Sequence, residues 1–259
     1  MIDLHCHVLP GCDDGAKDLD EALSMCRTAA ADGIETLVAC AHYDSTYKIS
    51  REELLARTGE LSAVLEAEGV PLSLLTASDA HACAELPKLV EDGIVSTVAD
   101  GGRYLLLELP SYALPENLGD LVFRLAAKGV RCVITHPERN AALQADPEPL
   151  VQLVGQGALV QVTAMSLTGD FGPAPRRATE DLIRRKLAHV IATDAHSPNR
   201  RPPVLSKAVG AAARLVGEED ARAMVEKTPK LILAGEDVEA PEPLPPGRRG
   251  LLSRFVRRP

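Results

Sequence analysis

The chain has 259 residues, of which 46% are hydrophobic and 3% aromatic, and its formal net charge is -9. This length suits one domain with a large core, and the acidic balance argues against a general nucleic-acid binder, which needs a basic surface. The six cysteines lack CxxC spacing and are expected to be reduced, and no apolar run reaches the roughly 20 residues that span a bilayer. Since the first residues predict a strand and no signal segment, we expect a cytoplasmic protein.

Short apolar runs recur along the chain at the spacing of one strand and one helix. Six of them end on a residue that can bind a metal, at steps of 37, 37, 29, 28 and 58 residues: His5, His42, Asp79, Glu108, His136 and Asp194. A seventh run, 158–162, divides the longest step into two similar halves. Near-continuous apolar runs are typical of parallel strands covered on both faces, so the pattern predicts seven parallel strands.

Helical segments lie between these runs. Residues 18–21 have the form of a capping box, and apolar residues follow at helical spacing until Gly33. A second helix is predicted to begin after Ser50 and to end at Gly69. Alternating strands and helices predict a single α/β domain over residues 1–238, a barrel in which the strand C-terminal ends carry the chemistry.

Two segments fall outside this alternation. Residues 170–175 are rich in glycine and proline and predict a loop at the catalytic rim, although an ordinary surface loop would have the same composition. Residues 239–259 form a tail rich in proline and arginine that is expected to be disordered. Its arginines alternate with leucine, phenylalanine and valine, so the tail could contact an acidic membrane surface or a partner.

The first and last predicted strands each end in a pair of metal-ligand candidates. His5 and His7 are two residues apart, so both imidazoles face one side of the strand and Cys6 faces the other. Asp194 and His196 repeat this spacing, and a closed barrel places the last strand beside the first. The four side chains are therefore expected to meet.

Five more side chains complete a set of nine candidate metal ligands: Asp14, His42, Asp79, Glu108 and His136. Five imidazoles and four carboxylates could hold three divalent ions if one carboxylate bridges. Oxygen and nitrogen ligands without thiolate suit manganese, iron or zinc. Asp14 is equally well explained as a turn residue, because it lies in Asp13-Asp14-Gly15. A centre of three divalent ions and four carboxylates would carry net positive charge and attract a phosphate dianion.

Two arginines follow the ligands closely. Arg139 comes three residues after His136, and Arg201 comes five residues after His196. A guanidinium group binds phosphate oxygens through two parallel hydrogen bonds, so both are candidates for anchoring a phosphate. Arg200 is an alternative to Arg201, and spacing alone does not choose between them.

The motifs resemble the polymerase and histidinol phosphatase (PHP) superfamily, in particular its bacterial capsule-associated branch. The residues that carry this resemblance are 1–7, Asp13-Asp14-Gly15, 135–139, 192–196 and 201–203, and the resemblance extends to about residue 233. It implies a distorted, TIM-like (β/α)7 barrel and a manganese-dependent protein tyrosine phosphatase. It also implies a phosphotyrosine protein as partner, a membrane-associated tyrosine kinase of capsule or exopolysaccharide synthesis, so the enzyme could lie at the inner membrane face.

The resemblance implies a role for each candidate. One metal would be held by His5, His7, Asp79 and Asp194, a second by Asp79, Glu108 and His136, and a third by Asp14, His42 and His196. Arg139 and Arg201 would grip the phosphate, and a metal-activated hydroxide would attack phosphorus. The family usually has glutamate where this chain has Asp79, so the bridging carboxylate is one methylene shorter, and His81 nearby could compensate.

Three other functions are compatible with parts of this pattern. A small-molecule phosphatase of the same superfamily, such as one that acts on histidinol phosphate, would have the same ligands. An amidohydrolase also begins with His-x-His but commonly uses a bridging lysine, and here the fourth strand ends in Glu108. A non-catalytic metal-binding interaction protein could keep the barrel and act through its tail.

Overall fold

A computed structural model describes residues 1–245. Its seven strands are β1 (Ile2–Cys6), β2 (Thr36–Tyr43), β3 (Ser73–His81), β4 (Tyr104–Glu108), β5 (Arg131–Thr135), β6 (Leu159–Thr163) and β7 (Val190–Ala192). The helices are α1 (Leu19–Ala31), α2 (Arg51–Ala67), α3 (Leu86–Glu91), α4 (Leu118–Ala127), α5 (Ala141–Ala145), α6 (Glu148–Gly155), α7 (Ala164–Thr168), α8 (Pro173–Arg184), α9 (Ser206–Val216), α10 (Glu218–Ala223) and α11 (Lys227–Leu233). Short 3-10 turns lie at Val98–Asp100 and Pro137–Arg139.

The strands form one parallel sheet in chain order, from β1 to β7. Backbone hydrogen bonds join its two edges: His7 N–H donates to the Ala195 carbonyl at 2.9 Å, and Asp194 N–H donates to the His5 carbonyl at 2.8 Å. The sheet is therefore a nearly closed, distorted barrel, which confirms the predicted fold class and the pairing of the first strand with the end of the last.

Local sequence explains the first two crossover helices. The Asp18 carboxylate accepts a hydrogen bond from Glu21 N–H at 2.9 Å and caps α1. Ser50 caps α2 in the same way through Glu53 N–H, at 3.2 Å. The predicted loop at 170–175 is shorter than expected, because Pro173 is the first residue of α8, a position that favours proline.

Two apolar clusters lie on the two sides of the barrel wall. The outer cluster packs strand residues such as Ala39 and Leu107 against the helices. The inner cluster fills the barrel interior with residues such as Leu4, Val38 and Leu106. Ile232 of α11 also belongs to this cluster. The candidate metal ligands lie at the C-terminal ends of the strands.

A β-bulge in β1 changes which side chains face the barrel interior. Asp3 pairs with Leu37, but Cys6 already pairs with Ala39, so β1 uses one residue more than β2 over this stretch. As a result Leu4 joins the inner cluster while His5, the next residue, also turns inward. The sequence pattern predicted that the two histidines of the pair share a face, but it contained no signal for the bulge.

The chain remains against the barrel beyond residue 238. Ala240 packs on both apolar clusters, and Leu244 N–H donates to the Arg185 carbonyl at 2.8 Å. Residues 246–259, which carry the arginines of the predicted tail, lie outside the described part of the chain, and the tail's disorder stays a prediction. None of the helices in residues 1–245 combines the length and apolar content that a membrane crossing requires.

Candidate metal centre

All nine predicted ligands converge at the C-terminal end of the barrel. His42, Asp79 and Glu108 lie at or near the C-terminal ends of the neighbouring strands β2, β3 and β4. His42 pairs directly with Asp79 in the sheet. The others are at or just after the ends of β1, β5 and β7, except Asp14, which comes from the turn after β1: His5, His7, Asp14, His136, Asp194 and His196. The set is therefore assembled from the ends of several strands and the turn after β1.

The first group of side chains surrounds the two histidines of β1. The Nε2 atoms of His5 and His7 are 2.9 Å apart, and Asp79 Oδ2 lies 3.4 Å from His5 Nε2. Asp194 Oδ1 approaches the same two nitrogens at 3.5 and 3.6 Å. These four residues are the ones predicted to share a metal, and all are buried.

A second group lies at the mouth of the site. Asp14 Oδ1 is 3.4 Å from Nε2 of both His42 and His196, and His7 completes the group. The Asp14 side chain is 55% exposed, yet its carboxylate faces the two imidazoles. This contact favours the ligand interpretation of Asp14 over a purely structural turn residue.

A third group lies between β2, β4 and β5. Glu108 Oε2 is 3.3 Å from His42 Nδ1, and Glu108 Oε1 is 3.6 Å from His136 Nε2. Asp79 joins this group too, at 3.4 Å from His42 Nδ1 and 4.0 Å from His136 Nε2. The carboxylate of Asp79 therefore belongs to two groups, as a bridging ligand would.

The short side chain of Asp79 still reaches the centre. Its Oδ1 accepts a hydrogen bond from Thr135 Oγ1 at 3.2 Å, which leaves Oδ2 directed at the imidazoles. Among residues 1–245, no side chain or backbone group hydrogen-bonds this buried oxygen or His42 Nδ1. His81, which could compensate for the shorter side chain of Asp79, is partly exposed. Its Nδ1 lies 3.8 Å from Glu108 Oε2. It lies at the edge of the centre.

The electrostatics of the site favour a bound cation. Hydrogen bonds from His196 and His42 hold the pKa of the Asp14 carboxyl well below its usual range. Burial works to lower the pKa of His42, but Asp14 and Glu108 outweigh it and raise that pKa to about 12. The carboxylates thus stabilise positive charge here, whether as a proton on an imidazole or as a divalent ion. Donors of this type fit manganese, iron or zinc.

Supporting residues fix the orientation of the histidines. Asp13 Oδ2 lies 2.7 Å from His7 Nδ1 and also accepts a hydrogen bond from His42 N–H at 3.0 Å. Gln161 Oε1 lies 3.0 Å from His5 Nδ1. Neither role was predicted from the sequence. For Asp13 the available signal was its place beside Asp14, and for Gln161 it was a polar residue inside the apolar run of β6.

Two ligand candidates adopt an unusual backbone conformation. His136 and Asp194 have φ values of 34° and 49°, in the left-handed region that non-glycine residues seldom occupy. Each comes at the point where a strand ends and the chain must turn. Such strain persists where the surrounding structure fixes it and is concentrated at functional sites.

The two predicted arginines, both partly exposed, meet at the buried Asp194 carboxylate. Arg139 donates to the Asp194 carboxylate, and Arg201 donates both to that carboxylate at 2.6 Å and to the Asp194 carbonyl at 2.7 Å. Arg200 is exposed, and its backbone N–H bonds Ser197 Oγ at 3.3 Å. Arg201 therefore contacts a candidate ligand, whereas the exposed Arg200 bonds Ser197 only through its backbone N–H.

Comparisons with known proteins agree with this geometry. Residues 1–234 match the family described as capsular polysaccharide synthesis, CpsB/CapC. The tyrosine-protein phosphatase YwqE of Bacillus subtilis is 31% identical over 98% of this chain and 100% of its own length. The putative tyrosine-protein phosphatase CapC of Staphylococcus aureus is 33% identical over 80% of this chain and 81% of its own length.

Solved structures show the same relationship. A chain from the crystal structures of YwqE and of CpsB from Streptococcus pneumoniae, described as metal-dependent tyrosine phosphatases, matches with a TM-score of 0.92. It is 31% identical, and the match covers 96% of this chain and 100% of that one. A lactonase from Listeria monocytogenes shares only the fold, at 11% identity and a TM-score of 0.55. With a sequence match over almost all of the barrel and a full-length structural match, the chain belongs to the CpsB/CapC family of capsular polysaccharide synthesis.

Proposed function

We propose that this protein is a metal-dependent protein tyrosine phosphatase. The observation that carries the proposal is the convergence of nine candidate metal ligands, with nitrogen and oxygen donor atoms, and two arginines at one end of the barrel. Relatives that match over nearly their whole length are named tyrosine-protein phosphatases. The three groups of side chains suggest three divalent ions, and we propose manganese as the resident metal, with iron or zinc as alternatives.

Each group of side chains would hold one metal. In the first group, His5, His7, Asp79 and Asp194 would hold one metal. In the third group, Asp79, Glu108 and His136 would hold another, so that Asp79 is shared. In the second group, Asp14, His42 and His196 would hold the remaining metal. Bound divalent ions would supply Lewis-acid stabilisation of the phosphoryl oxygens and an acidified water as nucleophile.

The protein's own residues would bind and orient the substrate. Arg139 and Arg201 present partly exposed guanidinium groups beside Asp194, where they can bind the equatorial oxygens of a phosphoryl group. Asp13 and Gln161 hold the imidazoles of His7 and His5 in place for the same centre. A phenolate leaving group, with a pKa of about 10, departs with little help from a general acid.

Three buried cysteines are unsuited to act as the nucleophile. Burial raises the pKa of Cys6 and Cys40 well above the usual thiol range, and it raises that of Cys132 to about 12. A thiol that acts as nucleophile needs the opposite, a lowered pKa beside positive charge. These three thiols are therefore poor candidates, whereas the proposed metal centre could supply the attacking group.

For the partner, we propose a phosphotyrosine protein of capsule or exopolysaccharide synthesis, in particular a membrane-associated tyrosine kinase. The family description, capsular polysaccharide synthesis, supports the link to capsule synthesis, and the kinase is the finer part of the proposal. A place at the inner membrane face would suit residues 246–259, which contain five arginines and no acidic residue. Sedimentation with anionic and with zwitterionic vesicles, for the full chain and for a chain that ends at residue 245, tests this: binding only of the full chain, and only to anionic vesicles, is expected. Equal sedimentation of both chains would contradict it.

The function is tested by restoring metal to the stripped protein. The protein is treated with a chelator, loaded with manganese, iron or zinc, and assayed on a phosphotyrosine peptide and on histidinol phosphate. We expect metal-dependent hydrolysis of the peptide that is lost in His5→Ala and Arg139→Ala. Hydrolysis of histidinol phosphate alone would make the protein a small-molecule phosphatase, and bound metal with no hydrolysis of either substrate would contradict the proposal.

A further inference from the structure

Phe171 lies beside both arginines of the metal centre. The guanidinium carbon of Arg139 is 5.2 Å from the centre of the phenyl ring, and that of Arg201 is 5.5 Å from it. Both distances are within the 6 Å range of a cation–π contact. One ring thus contacts the two groups that are proposed to bind the phosphate.

The chain holds this ring in place with a tight turn. Gly172 N–H donates to the Gly169 carbonyl at 2.9 Å, which closes a four-residue turn with Asp170 and Phe171 in its centre. The two glycines have φ values of +96° and +93°, a conformation that residues with a side chain rarely adopt. Helix α7 ends at this turn and α8 begins after it, so both ends of the turn are fixed.

The Phe171 ring can stabilise the two arginines beside each other. They are like charges that share one carboxylate, Asp194, and this carboxylate is also a candidate metal ligand. A metal bound by Asp194 would weaken the electrostatic attraction between its carboxylate and the two guanidinium groups. The negative face of an aromatic ring attracts both cations without occupying the donors that a phosphate would bind.

We propose that Phe171 is a positioning residue that holds Arg139 and Arg201 together for binding of a phosphoryl group. This inference rests on the proposed function, because it takes the arginines to be the phosphate-binding groups. Phe171 acts through the arginines, so its effect does not require an aromatic substrate. Inorganic phosphate, the product of hydrolysis, is bound by the same two groups and is sensitive to the same contact.

The test compares phosphate binding in matched variants of the manganese-loaded, full-length protein. Phe171→Leu keeps an apolar side chain but removes the ring, and Phe171→Tyr keeps the ring. Phe123→Leu is the control, because Phe123 is 65% exposed on α4. For each protein, the dissociation constant of inorganic phosphate is measured by calorimetry, the metal content by elemental analysis, and KM and kcat on a phosphotyrosine peptide.

We expect Phe171→Leu to weaken phosphate binding by about tenfold with unchanged metal content, and Phe171→Tyr and Phe123→Leu to stay within about twofold of the parent protein. A higher KM for the peptide in Phe171→Leu without any change in phosphate affinity would overturn the inference, because the ring would then contact the substrate itself. Loss of metal in Phe171→Leu would overturn it as well. If the parent protein binds phosphate but does not hydrolyse the peptide, the proposed function is overturned, while weaker phosphate binding by Phe171→Leu would still support the role of Phe171.

Discussion

The Asp13 carboxylate lies 2.7 Å from Nδ1 of His7 and holds the imidazole so that its other nitrogen, Nε2, faces His5 and Asp194. The same oxygen accepts the backbone N–H of His42, so one carboxylate ties two ligand-bearing segments together. A carboxylate behind a metal-bound histidine raises the basicity of the ring and fixes its orientation.

Replacement of Asp13 by alanine should therefore weaken metal binding although Asp13 is outside the ligand set. We expect Asp13→Ala to lose about 10- to 100-fold in metal affinity, and phosphatase activity to fall with it at limiting metal. Titration of the stripped protein with manganese, followed by activity and by metal content, measures the effect. Asp20→Ala, at an exposed site in the first turn of α1, is the control. Equal affinities for the two variants would show that Asp13 has no such role.

Gly15 is needed because the turn that carries Asp14 passes very close to His7. A Cβ atom at this position would lie 2.2 Å from the His7 carbonyl oxygen, which cannot move without disturbing β1. We expect Gly15→Ala to destabilise the protein by about 2 kcal/mol or more, as overpacking in a tight site does.

Thermal unfolding of the stripped protein checks this expectation. Gly59→Ala serves as the control, because Gly59 is inside α2 with open space around it. This control should stabilise the protein by about 0.5 to 1 kcal/mol, since alanine is the better helix former. A Gly15→Ala variant with the stability of the parent protein would contradict the close approach.

The parts of the structure that local sequence predicts are those that depend on neighbours in the chain. The apolar runs specified all seven strands, and the caps at Asp18 and Ser50 specified where two helices begin. The ligands were found because each ends a run that the barrel must place at one end. Asp13, Gln161 and Phe171 were missed as site residues because each acts on a group that only the fold brings close.

Arg201 and Arg200 should differ sharply in function although they are adjacent. Arg201 donates to Asp194 and contacts Phe171, whereas the Arg200 side chain is exposed. Removal of a donor that stabilises developing charge costs about 10² to 10³ in rate, so we expect Arg201→Ala to lose at least about 100-fold in kcat/KM on a phosphotyrosine peptide. Arg200→Ala should stay within about twofold. Similar losses in both variants would contradict the assignment of Arg201.

His189 makes the stability of the barrel sensitive to acid at a point remote from the metal centre. It precedes β7, and its Nδ1 accepts the Val160 N–H at 3.1 Å inside the protein. Burial, with a smaller effect from the positive charge of Arg131, lowers the pKa of His189 to about 4. The unfolded chain, with a histidine pKa of about 6.5, therefore binds the proton more readily than the folded protein does.

Stability must accordingly fall as the pH decreases from about 6.5 to about 4, because protons favour the unfolded state in this window. The loss from His189 should be about 2 kcal/mol between pH 7 and pH 5. In His189→Asn the amide oxygen can still accept a hydrogen bond, but the titratable group is gone. Urea unfolding of both proteins at the two pH values, with chelator present so that metal release contributes nothing, isolates this effect. The parent protein should lose about 2 kcal/mol more than the variant, and equal losses would mean that the His189 imidazole is not held neutral by burial.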